Sequence, residues 1–162
     1  TIHWLGTGLS AIPGLKKLIE NGHSVIVYNR TVDKAIEALS GVDGDYQVVP
    51  FSIEVVKQYA SAGDVVVSML PGNFHVPVAE LCISLDAHFV SSSYISDEMR
   101  DLNSAAIKKG LCLVNEVGLD PGIDHSMSHA LVEEYRNSSV FSKENSHSFF
   151  IFGKALCKGE IG

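Results

Sequence analysis

Two short polar segments carry the side chains best suited to proton chemistry: "FVSSSYIS", with Tyr94, and "LVNEVGLDPGIDH", with Asp120. Each begins in an apolar run, so in a parallel sheet both would emerge at the carboxyl edge, where open α/β proteins bind their ligands. Tyr94 offers a phenol that can donate or accept a hydrogen bond. "LDPGIDH" brings Asp120, Asp124 and His125 to the start of a helix, with Pro121 at a position that suits its missing N–H. For Asp120 the alternative is an N-cap or turn-forming role before Pro-Gly. Asp124 and His125, further into the helix, read as structural or hydrogen-bonding support.

A second kind of chemistry is written at the start of the chain. Gly6-Thr7-Gly8-Leu9-Ser10-Ala11 is a GxGxxA sequence between an apolar run and an amphipathic stretch. In dinucleotide-binding folds the first glycine permits a tight turn, the second lets a pyrophosphate approach the backbone, and a small third residue lets helix and strand pack closely. The alternative is a glycine turn that holds no ligand. The residues at the end of the second apolar run decide the nucleotide. An acidic residue there would take the ribose hydroxyls of NAD, but "VIVYNRT" places Asn29, Arg30 and Thr31 instead. A guanidinium can pair with a 2′-phosphate, so NADP is favoured over NAD; otherwise Arg30 is a solvated surface residue. "VVVSMLPG" would pass beside the cofactor at Ser68, Leu70 and Pro71, although Pro71 and Gly72 could equally be only a turn. For His75, capping or packing competes with catalysis.

These residues need a scaffold that brings them to one edge. Apolar runs at 2–5, 24–28, 46–49, 64–69, 88–90 and 111–114 alternate with helical patterns at about 9–21, 31–39, 52–61, 73–85, 97–109 and 122–135. This alternation is the signature of βαβ units, and runs apolar at nearly every position suit a sheet covered on both faces. The expected fold is α/β, a Rossmann-type doubly wound parallel sheet with helices on both faces. Ser52 and Ser96 read as N-caps, and Gly22, Gly63 and Gly110 as punctuation before the next strand. Residues 1–135 form the expected NADP-binding domain. Residues 136–162 are expected to be a short tail, either one extra strand at "FFIFGK" or the start of a further domain.

Composition narrows the classes. A chain of 162 residues, 46% hydrophobic and 19% charged, has enough apolar material for one domain with a real core. Its net charge of -7, without a basic stripe, argues against nucleic-acid binding. No stretch reaches the roughly 18 apolar residues of a membrane span, and a cytoplasmic location is the expectation. The three cysteines, Cys82, Cys112 and Cys157, lack a CxxC pair and read as thiols in a reducing compartment. His125 and His129 lie outside any HExxH pattern, and no metal is expected.

"SSSYIS", "VNEVGLDPGIDH" and "LPGNFHVPV" together resemble the saccharopine dehydrogenase family, in particular its L-glutamate-forming saccharopine reductases and the carboxynorspermidine-type enzymes. The resemblance runs from about residue 2 to about residue 135. It implies an NADP-dependent oxidoreductase of lysine metabolism and amino-acid biosynthesis that acts at a carbon–nitrogen bond. An amino acid condenses with an aldehyde, and reduction of the imine leaves a secondary amine, or the reverse. By match to the family motif, Tyr94 and Asp120 become candidates for proton transfer or substrate orientation. Gly118, Leu119, Pro121 and Gly122 would line the pocket, and Ser92 and Gly118 would join the cofactor set. The implied partners are a small amino-acid substrate and, for a full-length form, a second copy in a homodimer. The family's substrate-binding and dimerising domain is not matched in these residues. The chain is therefore expected to represent the cofactor-binding portion, the alternative being an NADP-binding module without turnover.

Overall fold

A computed structural model describes residues 1–141; the strand expected at "FFIFGK" and Cys157 lie outside the described residues. Six parallel strands are joined by helices: β1 (Ile2–Leu5), α1 (Ile12–Glu20), β2 (Val25–Asn29), α2 (Val32–Ala38), β3 (Tyr46–Pro50), α3 (Ile53–Tyr59), β4 (Val65–Ser68), α4 (His75–Ser84), β5 (His88–Ser91), α5 (Asp97–Asp101), α6 (Asn103–Lys109), β6 (Leu113–Val114) and α7 (Ile123–Arg136). The sheet order is β3-β2-β1-β4-β5-β6. After β3 the chain crosses over β2 and β1 to lay down β4 beside β1, so the connections switch faces there. That switch opens a crevice at the carboxyl ends of β1 and β4.

Each face has its own core. Trp4, Ala11, Leu15, Ile19, Val25, Val27 and Leu39 pack one side under α1 and α2. Leu5, Tyr28, Val56, Val78, Cys82, Phe89 and Met99 pack the other under α3, α4 and α5. The alternating direction of side chains along a strand sends neighbours Trp4 and Leu5 to opposite cores. Burying an aliphatic side chain of this size contributes about 1.5–3 kcal/mol. Inside the second core the Cys82 thiol is pushed up to about 12 by burial, which keeps it protonated and inert.

The expected elements are present with adjusted bounds. Ser52 accepts the Val55 N–H and Ser96 the Met99 N–H, each at 3.2 Å, so both serines cap as read. Gly110, in the left-handed region, ends α6. Gly63, by contrast, lies in the turn before β4, because α3 already ends at Tyr59 with Ala60 extended. The helix expected over 97–109 is divided at Leu102 into α5 and α6, and β6 shortens to two residues. No helix among the described residues is long and apolar enough to cross a membrane.

One polar network crosses the sheet. His3 is fully buried in β1; Tyr28 donates its O–H to His3 Nδ1 at 2.8 Å, and His3 Nε2 lies 3.1 Å from Asp64 Oδ2. This pattern requires neutral imidazole with its proton on Nε2. Burial lowers the imidazole from its ordinary 6.5, the Asp64 contact offsetting part of that. The unfolded chain therefore binds a proton at a pH where the folded chain does not. The stabilisation is complete above pH 6.5 and is lost as pH falls through the window below it. In urea titrations, Tyr28→Phe is expected to cost about 1–3 kcal/mol, the penalty of a buried nitrogen without its donor. His3→Gln is expected to shrink the loss of stability seen below pH 6.5; an unchanged pH slope would contradict this assignment.

Candidate active site

At the end of β1 the chain turns through Gly6, whose φ of +95° lies in the region open to glycine. A Cβ at Gly6 would come within 3.1 Å of the Met69 carbonyl oxygen, so the turn is pressed against the end of β4. Trp4 braces it from below, its indole N–H donating to the Gly6 carbonyl at 2.9 Å. At Gly8 the space a side chain would fill is open. Ala11 is buried against the sheet and α1 starts behind it with no side-chain cap; the Ala11 and Ile12 N–H groups both donate to the Gly8 carbonyl, at 2.9 and 3.3 Å, and Pro13 has no N–H, so the turn itself closes the start of the helix.

Beside this turn is a cavity of about 260 Å³ lined by Thr7, Gly8, Asn29, Arg30, Thr31 and Lys34. The Asn29 side-chain amide donates to the Thr31 carbonyl at 2.8 Å and shapes the turn after β2. The lining holds two cationic side chains and no acid, and neither Arg30 nor Lys34 forms an ion pair among the described residues. An open glycine turn and two cations without an ion pair among the described residues fit a pyrophosphate and a 2′-phosphate. Lys34 was not among the sequence candidates. Its place one turn after Arg30, in the first turn of α2, was the available signal. Of the remaining glycine-motif residues, Leu9 and Ser10 are exposed in the turn.

The second half of the site lies beyond β5 and β6. Tyr94 is exposed and its hydroxyl donates to Asp120 Oδ1 in a short hydrogen bond. That bond raises the phenol above its ordinary value, with smaller contributions from burial and the charges of Asp120, Asp124 and Glu116. The phenol thus keeps its proton and stays oriented as a donor. Under the loop, His75 is buried and lies 2.8 Å from Ser93 Oγ and 3.4 Å from Ser91 Oγ. Burial lowers the imidazole, partly offset by a hydrogen bond to the Leu70 backbone, so His75 props the loop as a neutral ring.

The Asp120 segment is closed on itself. Gly118 and Gly122 form a backbone bridge, Ile123 N–H donates to the Gly118 carbonyl at 3.0 Å, and Asp124 N–H to that of Leu119 at 2.9 Å. Gly122 has φ of +142°, and a Cβ there would collide with the Gly118 backbone and lie 2.9 Å from the Glu116 carbonyl oxygen. Helix α7 begins only at Ile123, with Gly122 as its N-cap, so Pro121 precedes the helix and does not occupy its first turn. Asp120 does not cap the helix; its carboxylate accepts the Tyr94 hydroxyl instead. Asp124 accepts the Gly122 N–H at 2.8 Å, the supporting role read for it, while His125 is exposed 3.9 Å from Asp124. Ser92 abuts Gly118, its Cβ 3.3 Å from where a Gly118 side chain would begin. Leu119 is exposed, Pro71 is exposed, and Leu70 packs near Gly6. Ser68 is buried at the end of β4, its hydroxyl without a partner among the described residues.

Residues 2–114 match the family described as the saccharopine dehydrogenase NADP binding domain. The chain belongs to that family. It is 36% identical over 135 residues to the NADP(+), L-glutamate-forming saccharopine dehydrogenase of Pyricularia oryzae, covering 80% of this chain and 29% of that protein. It is 37% identical over 108 residues to alpha-aminoadipic semialdehyde synthase of Arabidopsis thaliana, covering 67% of this chain and 10% of that one. Its fold superposes on the apo, L-Glu-forming saccharopine dehydrogenase of Saccharomyces cerevisiae with a TM-score of 0.67 at 28% identity, over 83% of this chain and 31% of the other. The chain thus spans about three tenths of the length of these saccharopine dehydrogenases. The family is one of oxidoreductases, and its cofactor is NADP.

Charge-assisted hydrogen bonds to the 2′-phosphate are worth about 1.5–3 kcal/mol each. Replacing Arg30 by Ser is therefore expected to weaken NADPH binding about tenfold to a hundredfold while leaving NADH binding unchanged. Lys34→Ser is expected to act in the same direction. Fluorescence titration checks both; equal losses for the two nucleotides would remove these side chains from phosphate recognition.

Proposed function

We propose that this saccharopine dehydrogenase family member works on the C–N bond of a saccharopine-like secondary amine. The reaction is the reductive condensation of an amino acid with a semialdehyde, or its reverse. The observation that carries this reading is the Tyr94–Asp120 pair at the carboxyl edge of the sheet, on the same edge as the glycine turn and the Arg30–Lys34 cavity. NADP, when bound, supplies the hydride exchange at the carbon next to nitrogen.

The chain's own residues supply the cradle and the proton chemistry. Gly6, Gly8 and the turn before α1 would hold the pyrophosphate, and Arg30, Thr31 and Lys34 the phosphorylated ribose. Asp120 holds the Tyr94 hydroxyl in place and keeps it protonated; the phenol oxygen retains lone pairs that can accept an N–H from the substrate amine. Proton passage between that nitrogen and the Tyr94–Asp120 pair is a general acid–base step. Asp124, whose charge reaches Tyr94, favours a substrate nitrogen that carries positive charge. Loss of such a step costs about 10²–10⁴-fold in rate.

In the full-length protein, Tyr94→Phe and Asp120→Asn are each expected to lower kcat for saccharopine oxidation by about that factor with NADPH affinity unchanged. Full turnover in both variants would remove the pair from catalysis. Tight NADPH binding by the unsubstituted protein, without turnover, would instead leave a cofactor-binding module.

A further inference from the structure

Between β6 and the Asp120 segment stands Glu116, a residue that the phosphate cradle and the proton pair leave without a positional role. Its φ is +61°, one of two positive values among the described non-glycine residues. This left-handed conformation suits glycine, and a side-chain-bearing residue held in it persists where its surroundings over-determine it, often at a functional site. Two hydrogen bonds do so here. The Glu116 N–H donates to the Ser93 carbonyl at 3.1 Å, and the Ile95 N–H donates to Glu116 Oε1 at 3.2 Å. One residue thus grips the chain immediately before and immediately after Tyr94. The next residue extends the seam, Val117 N–H donating to the Ser91 carbonyl at 3.2 Å. Four positions beyond Glu116 comes Asp120, the acceptor of the Tyr94 hydroxyl.

We propose that Glu116 is the positioning residue of this site, a clasp that ties the Tyr94 loop to the Asp120 segment and so sets the phenol–carboxylate pair. The inference rests on the proton-transfer reading of Tyr94 and Asp120. The clasp needs an acceptor oxygen at the end of a side chain of this length, whereas its negative charge is dispensable. The left-handed backbone alone does not suffice, because a glycine would adopt it while leaving the Ile95 N–H ungripped.

Three variants of the full-length protein separate these demands. Glu116→Gln keeps the acceptor and drops the charge, Glu116→Ala drops both, and Glu116→Gly relaxes the turn while dropping the acceptor. Displacing a reacting group by about an ångström costs on the order of a hundredfold. The Ala and Gly variants are therefore expected to lose about tenfold to a hundredfold in kcat for saccharopine oxidation, with NADPH affinity unchanged and Gln close to the unsubstituted enzyme. Amide hydrogen exchange at Ile95 is expected to quicken in Ala and Gly and to stay slow in Gln. A Gln variant as impaired as Ala would overturn the clasp in favour of a role for the charge, and a fully active Gly variant would reduce Glu116 to a turn residue. Unchanged Ile95 exchange in the Gly variant, which suits the backbone and is expected to fold, would also overturn it. The exchange measurement needs no substrate. Quickened Ile95 exchange together with full turnover of Tyr94→Phe would therefore count against the proton-transfer reading and leave the seam itself standing.

Discussion

The parallel pairing of β1 with β4 is the constraint on which the rest of the molecule depends. Leu5 stands in register with Tyr28 on one side and with Ser68 on the other, so three strand ends finish at one level. Parallel strands need crossover connections, and the crossovers of this sheet lie on opposite faces on either side of β1. The loops after β1 and β4 consequently diverge and leave the crevice between them. Gly6 can press against the Met69 carbonyl only because these two ends are adjacent. Everything assigned to cofactor or substrate grows from that one edge.

Two different physical solutions stabilise that edge. On the nucleotide side the chain uses absence: no side chain at Gly8 and no acid in the lining of the Arg30–Lys34 cavity. These omissions leave positive potential for an anion to complete. Around Tyr94 and Asp120 the chain uses dense polar contact. His75 supports Ser91 and Ser93 from within the core, Glu116 holds the backbone around Tyr94, and the glycines at 118 and 122 let the Asp120 segment fold back on itself. The first arrangement waits for its partner, and the second is already satisfied without one.

Much of this was legible in the residues because the signals are local. Apolar runs without alternation mark buried parallel strands, Ser52 and Ser96 mark helix starts, and Asn29-Arg30-Thr31 at the end of β2 marks a basic turn that lines the cavity beside Gly8. The misreadings are also local. Pro121 and Asp120 look like a helix start, yet Gly122 is the cap, because only a residue without a side chain can pass the Gly118 and Glu116 carbonyls. Leu102 interrupts what periodicity alone reads as one helix, since apolar spacing continues through the break between α5 and α6.

Local sequence determined the order of strands and helices, the glycine turn, the basic character of the site after β2, and the residue types able to move a proton. These depend on propensity, capping and period, which neighbouring residues express by themselves. Only the tertiary structure decided which distant groups meet: Tyr94 with Asp120, His75 with Ser93, Glu116 with Ile95, and His3 with Tyr28 and Asp64. Each meeting joins residues from different strands or loops, and their separation is set by sheet register and crossover geometry, which no single stretch of the chain encodes. Sequence could name Tyr94 and Asp120 as acids and acceptors; folding made them a pair.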